Sequence, residues 1–324
     1  MVFSDVGPEA TLAKVHEGLD VLQAEGNDIL LSVGGGSVMD TAKGIGCLAN
    51  NPGNLEDYEG LEKFKNPPLP TVAVPTTAGS GSELSFGAVI SDTDRKYKFS
   101  FRSSMQIPKA AILDPELLKT IPPNLAAATG MDALSHGLEA YVSKWSNFMT
   151  DAYCRQNFYL VGKYLRRFVS DPSDVEAASA MLLASSMGSM AFNVARLGLV
   201  HAIGHPIGAN FHLPHGVACA LLMPPVMEFN LTACPDKFVD VAIGLEGTGD
   251  EGSPVKNAQA ADDAVVRLVD DIGIRADFSS YDITDELLSR LADETLSSGM
   301  QLTNPKDCEK EDVIDILLKF FKTN

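Results

Sequence analysis

At Ile121-Pro122-Pro123 the sequence changes texture, and that change limits the fold more than any other feature. Before it, short apolar runs alternate with helix-period stretches. Residues 8–25 carry Leu12, Val15, Leu19 and Leu22 at a 3.6-residue period, with Pro8 near the helix start. DILLSV (28–33) is an apolar run that stops at Gly34-Gly35-Gly36, and a helical stretch follows from Ser37 to about Ala49. TVAVP (71–75) is a second buried strand. FGAVISD (86–92), RKYKFSF (95–101) and KAAILD (109–114) read as three more, the first two joined by a tight turn at Asp92-Thr93-Asp94. Strands alternating with helices predict a largely parallel sheet covered on both faces. Beyond residue 121 no convincing strand remains. Ala-, Leu- and Met-rich stretches predict helices over 122–143, 148–169, 173–195, 198–210 and 215–230, with shorter ones to the end. The expectation is an α/β domain at 1–119 and an all-helical domain at 120–324, in keeping with ~150 residues per domain.

The formal net charge of -18 argues against nucleic acid and anionic membrane surfaces as partners, since both select basic patches. It leaves small-molecule chemistry open. The longest apolar stretch, Val217 to Met227, contains Pro224 and Pro225 and is too short to span a bilayer. The opening MVFSDVGPEA has neither the basic region nor the apolar run of a secretory signal. Five scattered cysteines form no CxxC pair, so neither a disulfide framework nor a thiolate metal site is expected. A cytoplasmic location fits this usage.

The histidines are few and concentrated. Of six, four (His201, His205, His212 and His215) fall within one short segment, and His136 follows Asp132 by four positions. Positions i and i+4 share a helix face, so Asp132 and His136 converge, as do His201 and His205 on a second helix. His215 follows Leu213-Pro214 at the start of the next. One carboxylate with three imidazoles suits a borderline divalent ion and leaves an exchangeable position. Any one of these histidines taken alone reads equally well as a satisfied core or surface residue. The cluster is what argues for a metal, and His212 is its weakest member.

Two glycine-rich turns follow strands. LLSVGGGSVMDTAKGIG (30–46) sets glycines at a strand-to-helix junction, where backbone N–H groups and the helix dipole attract phosphate. It is not the GxGxxG fingerprint, and a tight turn without ligand would look the same. PTTAGSGSE (75–83) follows the next strand. Loops after parallel strands share the sheet edge where ligands bind in open α/β folds. Lys98, in a strand shortly after, reads on its own as a solvated strand lysine and, beside these loops, as a group able to neutralise a phosphate.

Together GGGSVMDTAKGIG, PTTAGSGSE, AATGMDALSHGLEAYVS and GLVHAIGHPIGANFHLPHGVACALL resemble the iron-dependent (group III) alcohol dehydrogenase family, which has the dehydroquinate synthase-like fold. The resemblance runs from about residue 5 to the C-terminus. It implies a nucleotide-binding α/β domain, a helical metal-binding domain, and hydride transfer between a small alcohol or aldehyde and NAD or NADP, with the substrate oxygen on an Fe(II)-type metal. Zn(II) is used by some members. By position it makes Asp132, His136, His201 and His215 the metal ligands, and His205 a non-ligand histidine beside substrate and nicotinamide that carries the released proton. Gly35, Gly36 and Ser37 match the pyrophosphate loop, with Asp40 the acidic residue after it. Thr76, Thr77 and Ser80 match cofactor-contacting positions, and Lys98 a ribose-side lysine. Relatives are commonly homodimers or larger homo-oligomers.

The departures are specific. The family pattern begins earlier than this chain, by roughly 60 residues on a ~30-residue βαβ unit, so the α/β domain is expected to lack its first strands. Glu9 stands where many relatives have asparagine, adding negative charge beside the cofactor, and Pro225 stands where many have histidine. Three other readings stay open on the sequence: a truncated, inactive metal-binding relative, a related-fold lyase, and a metal-dependent hydrolase.

Overall fold

The computed structural model describes residues 1–95, 97–247 and 253–323. Lys96, inside the expected RKYKFSF strand, lies outside the described residues. The chain divides into two compact units, Met1–Leu118 and Lys119–Asn324.

In the first unit, α1 (Leu12–Glu25) starts at Thr11, whose side chain accepts from the Lys14 N–H, and ends at left-handed Gly26. The threonine hydroxyl caps the first turn, so the helix begins four residues beyond Pro8. Then come β1 (Leu30–Gly34), α2 (Gly36–Asn50), β2 (Gly60–Leu61), β3 (Thr71–Pro75), β4 (Gly87–Asp92), β5 (Tyr97–Arg102) and β6 (Ala110–Ala111). The order β1-β3-β6 forms a three-stranded parallel sheet. The other three strands form a second sheet, β2-β5-β4, in which β4 and β5 pair antiparallel and β2 runs parallel to β5. The expected parallel sheet is β1-β3-β6, and the two strands joined by the tight turn belong to the second sheet. The short link after Asp92 permits only antiparallel pairing, because a parallel neighbour needs a crossover of a dozen or more residues.

The expectation that both sheet faces are covered fails at β1. Ser32 and Gly34 are buried, while Leu31 and Val33 are 66% and 50% exposed. This is the alternation of a strand packed on one side, although its composition reads as buried on both. The core lies beneath α1 and α2, where Val15, Leu22, Ile45 and Leu48 meet Ile90, Phe99 and Phe101.

The second unit is helical among its described residues: α3 (Pro123–Val142), α4 (Phe148–Ser170), α5 (Val175–Ala195), α6 (Leu199–Phe211), α7 (His215–Asn230), α8 (Pro235–Glu246), α9 (Pro254–Asp271), α10 (Asp285–Ser297) and α11 (Lys310–Thr323). Helix α3 is buried on every side from Gly130 to Val142, packed by α4, α5 and α7. Its small residues permit that closeness: a Cβ on Gly137 would overlap the side chain of Asn157 on α4. The Asn157 Nδ2 donates to the carbonyls of Ala133 (3.0 Å) and Ala184 (2.8 Å), tying α4 to both α3 and α5. Among the described residues α5, not the Val217–Met227 stretch, is long and apolar enough to cross a membrane. It packs against α3 and α4.

Candidate metal centre

Three helices deliver one constellation. Asp132 and His136 lie mid-way along α3, His201 in the first turn of α6, and His215 at the first position of α7. The start of α7 reaches α3 because residue 216 is glycine: any Cβ there would overlap the carbonyl oxygen of Ala128.

The geometry has a centre. His136 Nε2, His201 Nε2 and His215 Nε2 stand 3.6, 3.7 and 3.5 Å from one atom, Asp132 Oδ1. Tetrahedral donors about 2.1 Å from an ion are separated by about 3.4 Å, so these spacings are close to those of a coordination shell. Asp132 Oδ1, His201 Nε2 and His136 Nδ1 are buried with no hydrogen-bond partner. An unsatisfied buried polar atom costs about 1–3 kcal/mol, and folded proteins leave few of them. A carboxylate oxygen and an imidazole nitrogen left unpaired at the same point fit a divalent cation.

The ionisation states show how strongly these groups act on one another. Burial opposes charge on Asp132, yet the surrounding His136, His215 and His201 hold its carboxyl well below the usual range. Burial pushes His136 down to about 4 in spite of Asp132. Burial also opposes a charge on His201, but Glu139 and Asp132 outweigh it and raise this imidazole to about 9. The Glu139 contact is direct, 2.6 Å from Oε2 to His201 Nδ1. At neutral pH that imidazole is protonated on both nitrogens; a cation that displaced the Nε2 proton would leave Nδ1–H on Glu139 and turn the Nε2 lone pair to the centre, the usual arrangement behind a ligating histidine. Glu139 Oε1 also accepts from the backbone N–H of Val200 (2.5 Å) and of His201 (3.4 Å), capping α6 from a neighbouring helix.

Of the remaining histidines, His205 adjoins the cluster, its ring centroid 5.3 Å from that of His215 and 6.1 Å from that of His201. His212 is the left-handed residue ending α6 and is exposed.

In the first unit β1 and β3 run side by side with Gly34 opposite Pro75, so the two glycine-rich loops leave the same sheet edge together. Gly35 opens α2 with no side-chain cap, and Gly36 and Ser37 form its first turn. A Cβ on Gly36 would stand 3.0 Å from Ser80 Oγ, and one on Gly35 3.3 Å from Thr77. Thr76 donates its N–H to Gly34 O at 3.0 Å. Asp40 faces inward: it accepts from Ser82 Oγ (2.6 Å) and from the Val89 N–H (2.9 Å). Lys98 Nζ pairs with Glu9 at 2.8 Å, bringing together the lysine expected on the ribose side and the residue that departs from the family pattern.

Against known proteins, residues 1–115 match the family model for iron-containing alcohol dehydrogenases, and residues 126–321 match the C-terminal model of the Fe-containing alcohol dehydrogenase family. The chain belongs to the iron-containing alcohol dehydrogenase family. The NAD-dependent methanol dehydrogenase of Bacillus methanolicus is 39% identical over 98% of this chain and 83% of its own length. The 1,3-propanediol dehydrogenase of Citrobacter freundii is 40% identical over 99% of this chain and 83% of its own length. Among solved structures, a 1,3-propanediol oxidoreductase aligns with a TM-score of 0.95 at 39% identity, covering 99% of this chain and 84% of that one.

Two residues near the constellation were not singled out from the sequence. Glu139 is seven positions after Asp132 and three after His136, on the same helix face, and that periodicity was the available signal. Cys219 follows His215 by four and stands among the donors. Only the search for paired cysteines passed it over.

Proposed function

We propose that this chain is a metal-dependent, nicotinamide-linked alcohol dehydrogenase and aldehyde reductase, with Asp132, His136, His201 and His215 holding Fe(II). The observation that carries the reading is the convergence of three imidazole nitrogens on one buried, unpartnered carboxylate oxygen. Zn(II) suits the same donors. A bound divalent ion supplies Lewis acidity toward an alcohol or carbonyl oxygen. Glu139 orients His201 through Nδ1 and fixes the tautomer that presents Nε2. His215, with its side chain 41% exposed, is the accessible edge of the site. His205 takes the alcohol proton on a ring nitrogen and passes it to solvent.

On the cofactor side, Gly35, Gly36 and Ser37 receive the pyrophosphate on the N–H groups that open α2. Thr76, Thr77 and Ser80 line the same place from the second loop, and Lys98 serves the ribose side. Asp40 acts one step back, holding the second loop through Ser82. The nucleotide is NAD, the cofactor printed in the name of the methanol dehydrogenase relative. The substrates are small alcohols and aldehydes, as the names of the propanediol dehydrogenase and of the Escherichia coli lactaldehyde reductase (36% identical) indicate for those proteins. The protein works in the cytoplasm as a homodimer or larger homo-oligomer.

The test is calorimetric titration of NADH and NADPH into anaerobic, Fe(II)-loaded protein, followed by alcohol oxidation assays with methanol and 1,3-propanediol. Saturable NADH binding with alcohol-dependent reduction of NAD is the expected result. Stoichiometric metal with no binding of either nucleotide would sink the dehydrogenase reading. In the same assays His205→Ala keeps its metal and loses roughly 100-fold in turnover; a variant that loses the metal makes His205 a ligand instead.

A further inference from the structure

We propose that Cys219 is a further donor to the metal held by Asp132, His136, His201 and His215, and that its sulfur gives the site a preference for thiophilic ions. The inference rests on the metal-site reading above and adds a residue to it. Helix α7 places Cys219 one turn after His215, fully buried, with Sγ 3.7 Å from His215 Nε2 and 4.0 Å from Nδ1. That sulfur belongs to a group in which one donor atom each of Asp132, His201, His215 and Cys219 lies within 4.8 Å of every other. Two of the donors in this group, Asp132 Oδ1 and His201 Nε2, are the buried atoms without a hydrogen-bond partner. The thiol is thus one wall of a centre whose other walls already call for a cation.

The distances are within coordination reach. An ion binds nitrogen and oxygen at about 2.1 Å and thiolate sulfur at about 2.3 Å, so donors on opposite sides of it stand about 4.4 Å apart. The 3.7 Å from Sγ to His215 Nε2 is already the spacing of neighbouring donors, about 3.6 Å at these bond lengths. On coordination the S–H bond breaks, the sulfur–metal bond forms, and the proton leaves to solvent with no change in oxidation state. The chemical consequence is selectivity. Carboxylate and imidazole alone rank the divalent ions by the general affinity order, whereas a thiolate tilts the set toward Zn(II), Co(II) and Cd(II) over Mn(II) and Mg(II). A buried cysteine acting only as a small apolar filler would produce no such tilt.

Cobalt reports sulfur directly. Metal-free, full-length protein is titrated anaerobically with Co(II) and followed by absorption spectroscopy. Visible ligand-field bands and a near-ultraviolet sulfur-to-cobalt charge-transfer band should rise together and saturate at one equivalent. Cys219→Ser, checked for folding by circular dichroism, should keep the former and lose the latter. In competition experiments it should also lose roughly tenfold or more of its preference for Cd(II) over Mn(II). Ligand-field bands in the wild type without the charge-transfer band overturn the role of Cys219 and leave the metal site standing. A charge-transfer band that survives in Cys219→Ser assigns the sulfur to another cysteine and also overturns it. Failure to bind Co(II) stoichiometrically overturns the metal site and the proposal together. The wild-type spectrum decides even if the variant does not fold.

Discussion

Helices α2 and α3 each bury an acid and a base one turn apart, and the two pairs end in opposite conditions. On α2, Lys43 Nζ donates to Ser82 Oγ (2.8 Å), Ser85 O (3.0 Å) and Gly87 O (2.8 Å), while both oxygens of Asp40 are taken by Ser82 and Val89. On α3, Asp132 Oδ1 has three imidazoles around it and no hydrogen bond. Both pairs show nearly the same spacing in sequence, i,i+3 against i,i+4, and neither spacing says which is which. Satisfaction does. The closed network fastens the second glycine-rich loop to α2, and the open one leaves donors that a cation would satisfy.

Breaking the open cluster gives the largest effect. Asp132→Asn removes the charge at its centre: metal analysis after desalting should find no stoichiometric Fe(II) or Zn(II). Turnover should fall by about 1,000-fold, the equivalent of about 4 kcal/mol of lost electrostatic stabilisation. A variant that keeps its metal would make the centre a packing feature like the other.

Breaking the closed network should cost stability and spare the metal. Lys43→Met leaves the carbonyls of Ser85 and Gly87 without this donor and Asp40 without its neighbouring cation, at about 3–5 kcal/mol in urea unfolding. The sign of its pH dependence is fixed. Burial lowers the Lys43 pKa from 10.5 to about 8, against the pull of Asp40 and Glu83. The unfolded chain therefore holds this proton more tightly, and wild-type stability relative to Lys43→Met rises as pH goes from about 8 to 10.5. A flat difference across that window would mean that the ammonium is not buried as described.

Smaller effects sharpen the contrast. Glu139 is a satisfied edge of the open cluster, so Glu139→Gln should weaken metal binding about 10–100-fold by loosening His201. Unchanged affinity in a metal-buffer titration would reduce Glu139 to a helix cap. Glu9→Asn frees Lys98 from an exposed ion pair, and NADH should bind a few-fold more tightly, within about 1 kcal/mol. Weaker binding would show that Glu9 holds the lysine in place for the cofactor.

Much of this was legible beforehand, for local reasons. Helix α4 begins at Phe148 because Asn147 accepts from the N–H groups of Met149 and Thr150, a cap readable from residue type. The approach of His136 to Asp132 follows from a four-residue interval. What remained hidden depends on residues far apart in the chain. Asp40 reads as a ligand-facing acid until Ser82, forty-two residues on, is seen to donate to it. Glu139 reads as one more helix-face carboxylate until α6 arrives opposite it. The division into two sheets turned on pairing direction, which the apolar runs do not encode and only the short turn after Asp92 hinted at.

The glycine at 216 has a further consequence. Because α7 meets α3 through backbone at Ala128, packing rather than coordination sets where His215 begins. Zinc fingers gather their ligands only when the ion arrives, so a chelator unfolds them. An ion held by Asp132 and the three histidines would be a guest of the helices, not their organiser. It could then be withdrawn and exchanged on a standing scaffold, with loading as well as folding deciding which ion is in place.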